Sequence, residues 1–296
     1  MELRILRYFL ALAREESISA AAEFLHLTQP TLSRQLMDLE QELGTKLFTR
    51  GKRKITLTGE GMLLRKRAEE IIDLVDKTEA ELLTPDDIIS GDIYIGGGET
   101  CAMRRVAKVM REITDEHPSV HFHLFSGNAE DVTERLDKGL LDFGILIQPT
   151  NLEKYNSLRF PAVDTWGVLM RKDSLLAKKA AIRPQDLWDV PLLASRQRLV
   201  SSDITKWIKK DYEKLNLVAT YNLIYNASLL VDEGVGYALC LDGLVNTTGD
   251  SNLCFRPLEP RLEAHLDIVW KKYQVFSKAA ELFLSRVRTA FGESKL

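Results

Sequence analysis

Cysteine is scarce in this 296-residue chain, and the little there is does not pair. Cys101, Cys240 and Cys254 are odd in number, widely separated and without C-x-x-C spacing, which excludes a disulfide framework or thiolate zinc site and predicts buried free thiols. Long apolar runs are missing too, so no stretch reaches membrane-spanning length. The opening MELRILRYFLALAREES mixes charges into its apolar pattern and lacks a small-residue cleavage site. It does not read as a signal peptide, and a soluble cytoplasmic protein with no membrane partner is expected. Also absent are G-x-G-x-x-G, the G-x-x-x-x-G-K-[ST] phosphate loop and G-x-S-x-G; the triplet Gly96-Gly97-Gly98 matches none of these and is expected to be a turn. Of five histidines only His121 and His123 are close, on one face of a strand with no further ligand evident. Cys101 lies near an expected helix N-terminus that would lower its pKa, but no base partner stands beside it in the sequence. No enzyme, metal or cofactor is therefore expected.

What is present is the composition of an ordinary globular protein, 45% hydrophobic and 28% charged, at a length that suits two or three compact units. The net charge of -3 argues against a wholly basic nucleic-acid binder. Its distribution matters more: through residue 58 there are nine Lys and Arg against seven Asp and Glu, and the rest of the chain carries the acid.

Leu6, Phe9, Leu10, Leu12 and Ala13 mark a first helix, and Ser17 is a plausible N-cap for a second through Ala20–Leu25. After a short His26-Leu27 turn, Thr28 can cap a third helix with Pro30 in its first turn, where a missing N–H costs nothing. Leu32, Leu36 and Leu39 give that helix its buried face. Two helices joined by so short a turn must cross steeply, the helix-turn-helix arrangement. The outer face then shows Gln29, Pro30, Thr31, Arg34 and Gln35, side chains able to address base edges, while Ser33 fits a phosphate contact. In FTRGKRKITLT, Phe48, Ile55 and Leu57 flank a turn at Gly51, with Arg50, Lys52, Arg53 and Lys54 at its tip: a short cationic hairpin, or wing, suited to the phosphate backbone. A lone basic hairpin is weak evidence for DNA binding; helix, turn, polar face and wing in that order are strong evidence.

These residues carry a family resemblance. The run SISAAAEFLHLTQPTLSRQLMDLEQELGTKLFTR, followed by ITLTGEG, resembles the N-terminal domain of LysR-type transcriptional regulators, with the paired alanines, Gln-Pro-x-Leu-Ser-Arg, Leu39-Glu40, Leu43-Gly44, Leu47-Phe48, Arg50 and Leu57-Thr58 in register. Glu60-Gly61 after the threonine is a mild departure, still compatible with a threonine-capped helix start.

From Thr58 or Gly59 to about Leu83 one long helix is expected, with Leu64, Ala68, Ile71, Val75, Thr78 and Leu82 forming a narrow seam that wants a partner helix. Burial against the C-terminal part of the chain is the alternative; the resemblance implies a linker helix joining two subunits. Thr84-Pro85-Asp86-Asp87 stops it, and Ser90-Gly91 marks a hinge. The pattern then alternates: strand 92–95, helix 101–117, strand 120–126, helix 131–138 and strand 142–147, hence a mostly parallel sheet. SGNAEDVTERLDKGLLDFGIL and LLVDEGVGYALC resemble the regulatory part of the same family.

The resemblance implies an α/β protein overall: a winged helix-turn-helix at 1–58, a linker helix and hinge at 59–90, and a two-lobed, periplasmic-binding-protein-like effector domain at 91–296. Lobe I is assigned 91–161 and 266–296, and lobe II 162–265 with a strand at 163–170 and a helix at 204–215. A cleft ringed by helix N-termini suits a small polar or anionic ligand. Its candidate lining is Glu99, Thr100, Cys101, Asn128 and Gln148 on one side and Ser195, Arg196, Ser201, Ser202 and Asn226 on the other. Glu99 would repel an anion unless Arg196 or Arg198 offsets it, so an amine-bearing or polyhydroxyl effector stays open. Expected partners are double-stranded promoter DNA, a small-molecule effector, a second copy in a homodimer extending to a homotetramer, and RNA polymerase.

Overall fold

The computed structural model describes residues 1–51, 54–83, 89–195 and 203–292. Contacts divide the chain into two compact units, Met1–Thr84 and Pro85–Leu296.

The first unit contains α1 (Leu3–Glu15), α2 (Ile18–Phe24), α3 (Gln29–Leu43), β1 (Phe48–Arg50), β2 (Ile55–Leu57) and α4 (Gly59–Leu83). Ser17 and Thr28 cap α2 and α3, each accepting a backbone N–H three residues on at 3.4 Å. Gly44 ends α3 at φ 67°, a left-handed conformation that a residue lacking Cβ adopts without strain. Phe9, Leu12, Ala21, Leu32, Leu36, Leu39, Leu47 and Phe48 make one core, and fully buried Ala21 lets the helices approach closely. The hairpin pairs Phe48 with Leu57 and Arg50 with Ile55. Thr58 caps α4 by accepting from Gly61 N–H at 3.0 Å. Glycine at 61 now has a reason: a Cβ there would lie 1.9 Å from the Leu47 carbonyl oxygen.

The expected seam on α4 needs correction. Ala68 and Ile72 are buried against Leu6 of α1, with Leu10, Leu64 and Ile71 packed alongside, and Arg7 pairs with Asp76 at 2.6 Å on the flank. The first half of the seam is therefore packed against α1 within the same unit. Burial follows the 3.6-residue period from Leu64 through Ala68 to Ile72, because a helix lying on α1 follows its own twist rather than a heptad. Further along, Val75 is half-buried and Thr78 and Leu82 are exposed.

The second unit holds two sheets. The first has the order β4-β3-β5-β13-β6, from β3 (Gly91–Gly97), β4 (Val120–Ser126), β5 (Phe143–Ile147), β6 (Tyr155–Arg159) and β13 (Leu266–Lys271). Strand β3 runs parallel to β4 and β5; β13 is antiparallel to β5 and β6. Helices α5 (Met103–Glu116), α6 (Ala129–Asp137) and α9 (Lys278–Phe291) accompany this sheet, whose core gathers Ile93, Val106, Phe143, Ile268 and Phe283. The second sheet runs β11-β7-β10-β8-β9, with β12 on β7, from β7 (Asp164–Arg171), β8 (Leu192–Ser195), β9 (Leu217–Tyr221), β10 (Tyr237–Leu241), β11 (Leu253–Pro257) and β12 (Glu263–Ala264). Its helices are α7 (Asp203–Ile208) and α8 (Ile224–Asp232), and Val168, Leu187, Leu192, Ile208 and Leu239 are buried in its core. The chain passes between the sheets twice, from β6 to β7 and from β12 to β13.

Two expectations are revised. Gly96 and Gly97 belong to β3, paired with β4 and β5, and are no turn; glycine stands at 96 because a Cβ there would meet Leu141 at 2.4 Å. The helix expected at 204–215 stops at Ile208, Lys209 takes φ 53°, and only a single 3-10 turn at Tyr212–Lys214 follows. Strands β6, β9 and β11 went unread; each is a sheet edge, where polar residues interrupt the apolar pattern. No helix among the described residues is long and apolar enough to cross a membrane.

Candidate functional site

Two regions place charged and polar groups beyond the needs of folding. The first is the outer face of α3. Gln29, Pro30, Thr31 and Arg34 are exposed there, and Ser33 and Gln35 are half-buried. Ser33 accepts a hydrogen bond from the Arg50 guanidinium at 3.0 Å, so these two side chains tie the hairpin to the helix. Lys54 forms an exposed pair with Glu16 at 3.0 Å, which leaves it less available than its place in the sequence implied. Lys52 and Arg53 lie outside the described residues.

A buried acid, Glu40, ties α3 to the chain entering the hairpin. Glu40 is 5% exposed, and its Oε1 accepts the Leu47 N–H at 2.8 Å and the Phe48 N–H at 3.4 Å while Oε2 meets Lys46 Nζ at 2.7 Å. Burial alone would raise the Glu40 carboxyl; Lys46 and the two N–H groups outweigh it and hold it below the usual carboxylate range. Beside its place in the Leu39-Glu40 pair, its sequence signal is an acid on the apolar side of α3.

The second region lies between the two sheets of the C-terminal unit, where three consecutive side chains after β3 each reach the second sheet's lobe. Glu99 Oε2 accepts the Ile224 N–H at the start of α8 at 2.6 Å. The Thr100 hydroxyl donates to Asp164 Oδ2 at the head of β7. Cys101 Sγ lies 3.6 Å from the Asp242 carbonyl oxygen, just past β10. The segment is a three-point clasp.

Two adjoining cavities share Gly98, Glu99 and Leu244 as a common wall. One, of about 290 Å³, adds Thr100, Met103 and Ser126; the other, of about 50 Å³, adds Asn128, Trp166, Ser195, Tyr221 and Asn222. Of the expected lining residues, the structure thus brings Glu99, Thr100, Asn128 and Ser195 together. Cys101 lines neither cavity. Gln148 also lines neither, and its Oε1 accepts the Thr150 N–H at 2.8 Å, shaping the turn after β5. Asn226 is exposed on α8 and lines neither; Asn222, one residue past β9, lines the smaller cavity. Arg196, Ser201 and Ser202 lie outside the described residues.

The electrostatics beneath the cleft are acidic. Burial pushes the Asp164 carboxyl up and nearby Asp242 adds to this, against the opposing hydrogen bonds from Thr100 and the Cys101 N–H. The Cys101 thiol is also pushed up, by burial and then by Asp164, the opposite of the expected helix-terminus effect. Cys240 is raised to about 12 by burial, as a thiol packed in a core should be.

The family model described as bacterial regulatory helix-turn-helix protein, lysR family, matches residues 3–62, and the model described as LysR substrate binding domain matches residues 87–292. Among curated relatives, the chain is 35% identical over 224 residues to the HTH-type transcriptional regulator BsdA of Bacillus subtilis (strain 168), covering 73% of this chain and 74% of that one. It is 28% identical over 281 residues to the Hca operon transcriptional activator HcaR of Escherichia coli (strain K12), covering 92% of both. Among solved structures, full-length CbnR complexed with its target DNA has the same fold, with a TM-score of 0.74 at 18% identity over 98% of this chain and 100% of that one.

Proposed function

Since the chain belongs to the LysR family and is a DNA-binding transcriptional regulator carrying a substrate-binding domain, we propose that α3 reads the major groove of promoter DNA through Gln29, Pro30, Thr31, Arg34 and Gln35. The family is one of regulators, and no enzymatic role is assigned. Arg50, Lys52, Arg53 and Lys54 grip the phosphate backbone beside it. The role of Ser33 shifts from phosphate contact to anchor, since Arg50 already holds it. The observation that carries this reading is the polar, solvent-facing side of α3 opposite Leu32, Leu36 and Leu39, with the hairpin tied beside it.

The same reading assigns 1–58 to DNA binding, 59–90 to linker and dimerisation, and 91–296 to effector binding, with lobe I at 91–161 and 266–296 and lobe II at 162–265. Two copies pair through α4 and place their α3 helices on an interrupted inverted repeat, in a tetramer in the cytoplasm, with RNA polymerase as a further partner. A small molecule bound at Glu99, Thr100, Asn128 and Ser195 biases one arrangement of the subunits over another and is not turned over.

Fluorescence anisotropy with a duplex selected from a random pool tests the DNA reading. Arg34→Ala is expected to relax base preference at one position, and Lys52→Ala to weaken all duplexes evenly and lower the salt slope by about one. Equal effects of both on every duplex would remove the division between α3 and the hairpin.

A further inference from the structure

We propose that the effector is a cation, a small molecule bearing a primary ammonium group, and that Glu99 is the residue that selects it. The inference rests on the cleft being the effector site, as proposed above, and goes on to name the ligand's charge.

A helix N-terminus facing a cleft is the ordinary seat for an anionic ligand, because its first N–H groups lack partners and its dipole favours negative charge. Here one N–H group at each of three such helix starts is already bound by the chain itself. At the start of α5, Thr100 Oγ1 accepts the Ala102 N–H at 3.0 Å. At the start of α6, Asn128 accepts the Asp131 N–H at 2.9 Å, and Asp131 returns a bond from its own carboxylate to the Asn128 N–H. At the start of α8, Glu99 accepts the Ile224 N–H at 2.6 Å. The last is the telling one, since a carboxylate from the opposite lobe sits where a carboxylate ligand would sit.

The charge around the cavities points the same way. Glu99 is on the wall common to both, Asp164 lies below Thr100, and Asp242 adjoins them closely enough to raise the Asp164 carboxyl. Among the described residues none of the three forms an ion pair; Arg196 and Arg198, which follow Ser195 in the sequence, lie outside them. An incoming carboxylate would meet like charge in a partly desolvated cleft, whereas an ammonium group would meet Glu99 Oε1, the oxygen not engaged by Ile224. The rest of the larger cavity, with Met103, Leu124, Phe125 and Ile145, offers apolar surface for the ligand's carbon skeleton.

Matched ligands differing only in charge test this on the full-length protein. Benzylamine, benzyl alcohol and benzoate form one set, and butylamine, butanol and butyrate a second, each followed by thermal shift of the wild type and of Glu99→Gln. Glutamine keeps an acceptor for the Ile224 N–H while removing the charge. The amine of at least one set is expected to raise the wild-type melting temperature by about 3 °C at about 5 mM, with the matched alcohol and carboxylate giving less than a third of that. The rise is expected to vanish in Glu99→Gln. Stabilisation by the carboxylates, an equal amine response in Glu99→Gln, or no amine response in either set overturns the inference. The wild-type comparison stands without the variant should Glu99→Gln fold poorly. Binding of the same preparation to its selected duplex reads out separately whether the DNA-binding proposal holds.

Discussion

Replacing Glu40 with alanine is expected to loosen the hairpin from α3 while leaving the three-helix core in place. The magnitude follows from three contacts. The Leu47 N–H, buried and 2.8 Å from the carboxylate, loses a charge-assisted bond worth about 2 kcal/mol. The Phe48 N–H at 3.4 Å contributes a weaker bond, about 0.5 kcal/mol. The pair with Lys46, whose side chain is 76% exposed, adds no more than about 0.5 kcal/mol after solvent screening. The loss is therefore about 3 kcal/mol, a factor of about one hundred in the local opening equilibrium. Hydrogen exchange of the peptide spanning residues 44–50 in the full-length protein reads this directly. Glu40→Gln, which keeps one acceptor for Leu47, should lose less protection. Because the folded Glu40 carboxyl lies below its ordinary value of 4.5, its contribution is present above that pH and is lost as pH falls through the folded value. Exchange near 45–48 should accelerate in acid for the wild type and not for Glu40→Gln. Protection in Glu40→Ala within about threefold of wild type would refute the assignment of this carboxylate as the hairpin's anchor.

Other substitutions probe the remaining contacts. Gly61→Ala would gain about 1 kcal/mol of helix propensity on an open helix, yet here the methyl would meet the Leu47 carbonyl oxygen, so a net loss of stability by differential scanning calorimetry is expected. Thr100→Val removes the donor to Asp164 and the acceptor for the Ala102 N–H; the urea midpoint by tryptophan fluorescence should fall by the equivalent of about 2 kcal/mol, and an unchanged midpoint would contradict the clasp. Asp164 has a folded carboxyl raised above 3.8, so its contribution is present below that value and is lost as pH rises through the folded one. Asp164→Asn should accordingly remove this contribution, so that the difference in stability between variant and wild type changes with pH in that window. With its thiol pushed up by burial and Asp164, Cys101 should react with iodoacetamide at neutral pH at least about tenfold more slowly than free cysteine; comparable rates by mass spectrometry would count against that environment.

The amino-acid sequence by itself determined the N-terminal unit nearly in full. Its signals are local: Ser17 and Thr28 sit one residue before the helices they cap, Gly44 follows α3 directly, and Phe48, Ile55 and Leu57 frame a hairpin within a few residues. The parallel strands β3, β4 and β5 were legible for the same reason, as apolar runs between helices. Only the tertiary structure decided which surfaces met. Ala68 turned toward Leu6, Glu40 was buried beneath Leu47 and Phe48, and Arg50 reached Ser33 across seventeen positions. The clasp at Glu99, Thr100 and Cys101 spans 125, 64 and 141 positions to its three partners. Periodicity records that a side chain leaves water, not what it meets there. The residue closing a distant helix N-terminus is fixed by the folding of both lobes around it, and so the charge of the cleft became readable only once Glu99 met the start of α8.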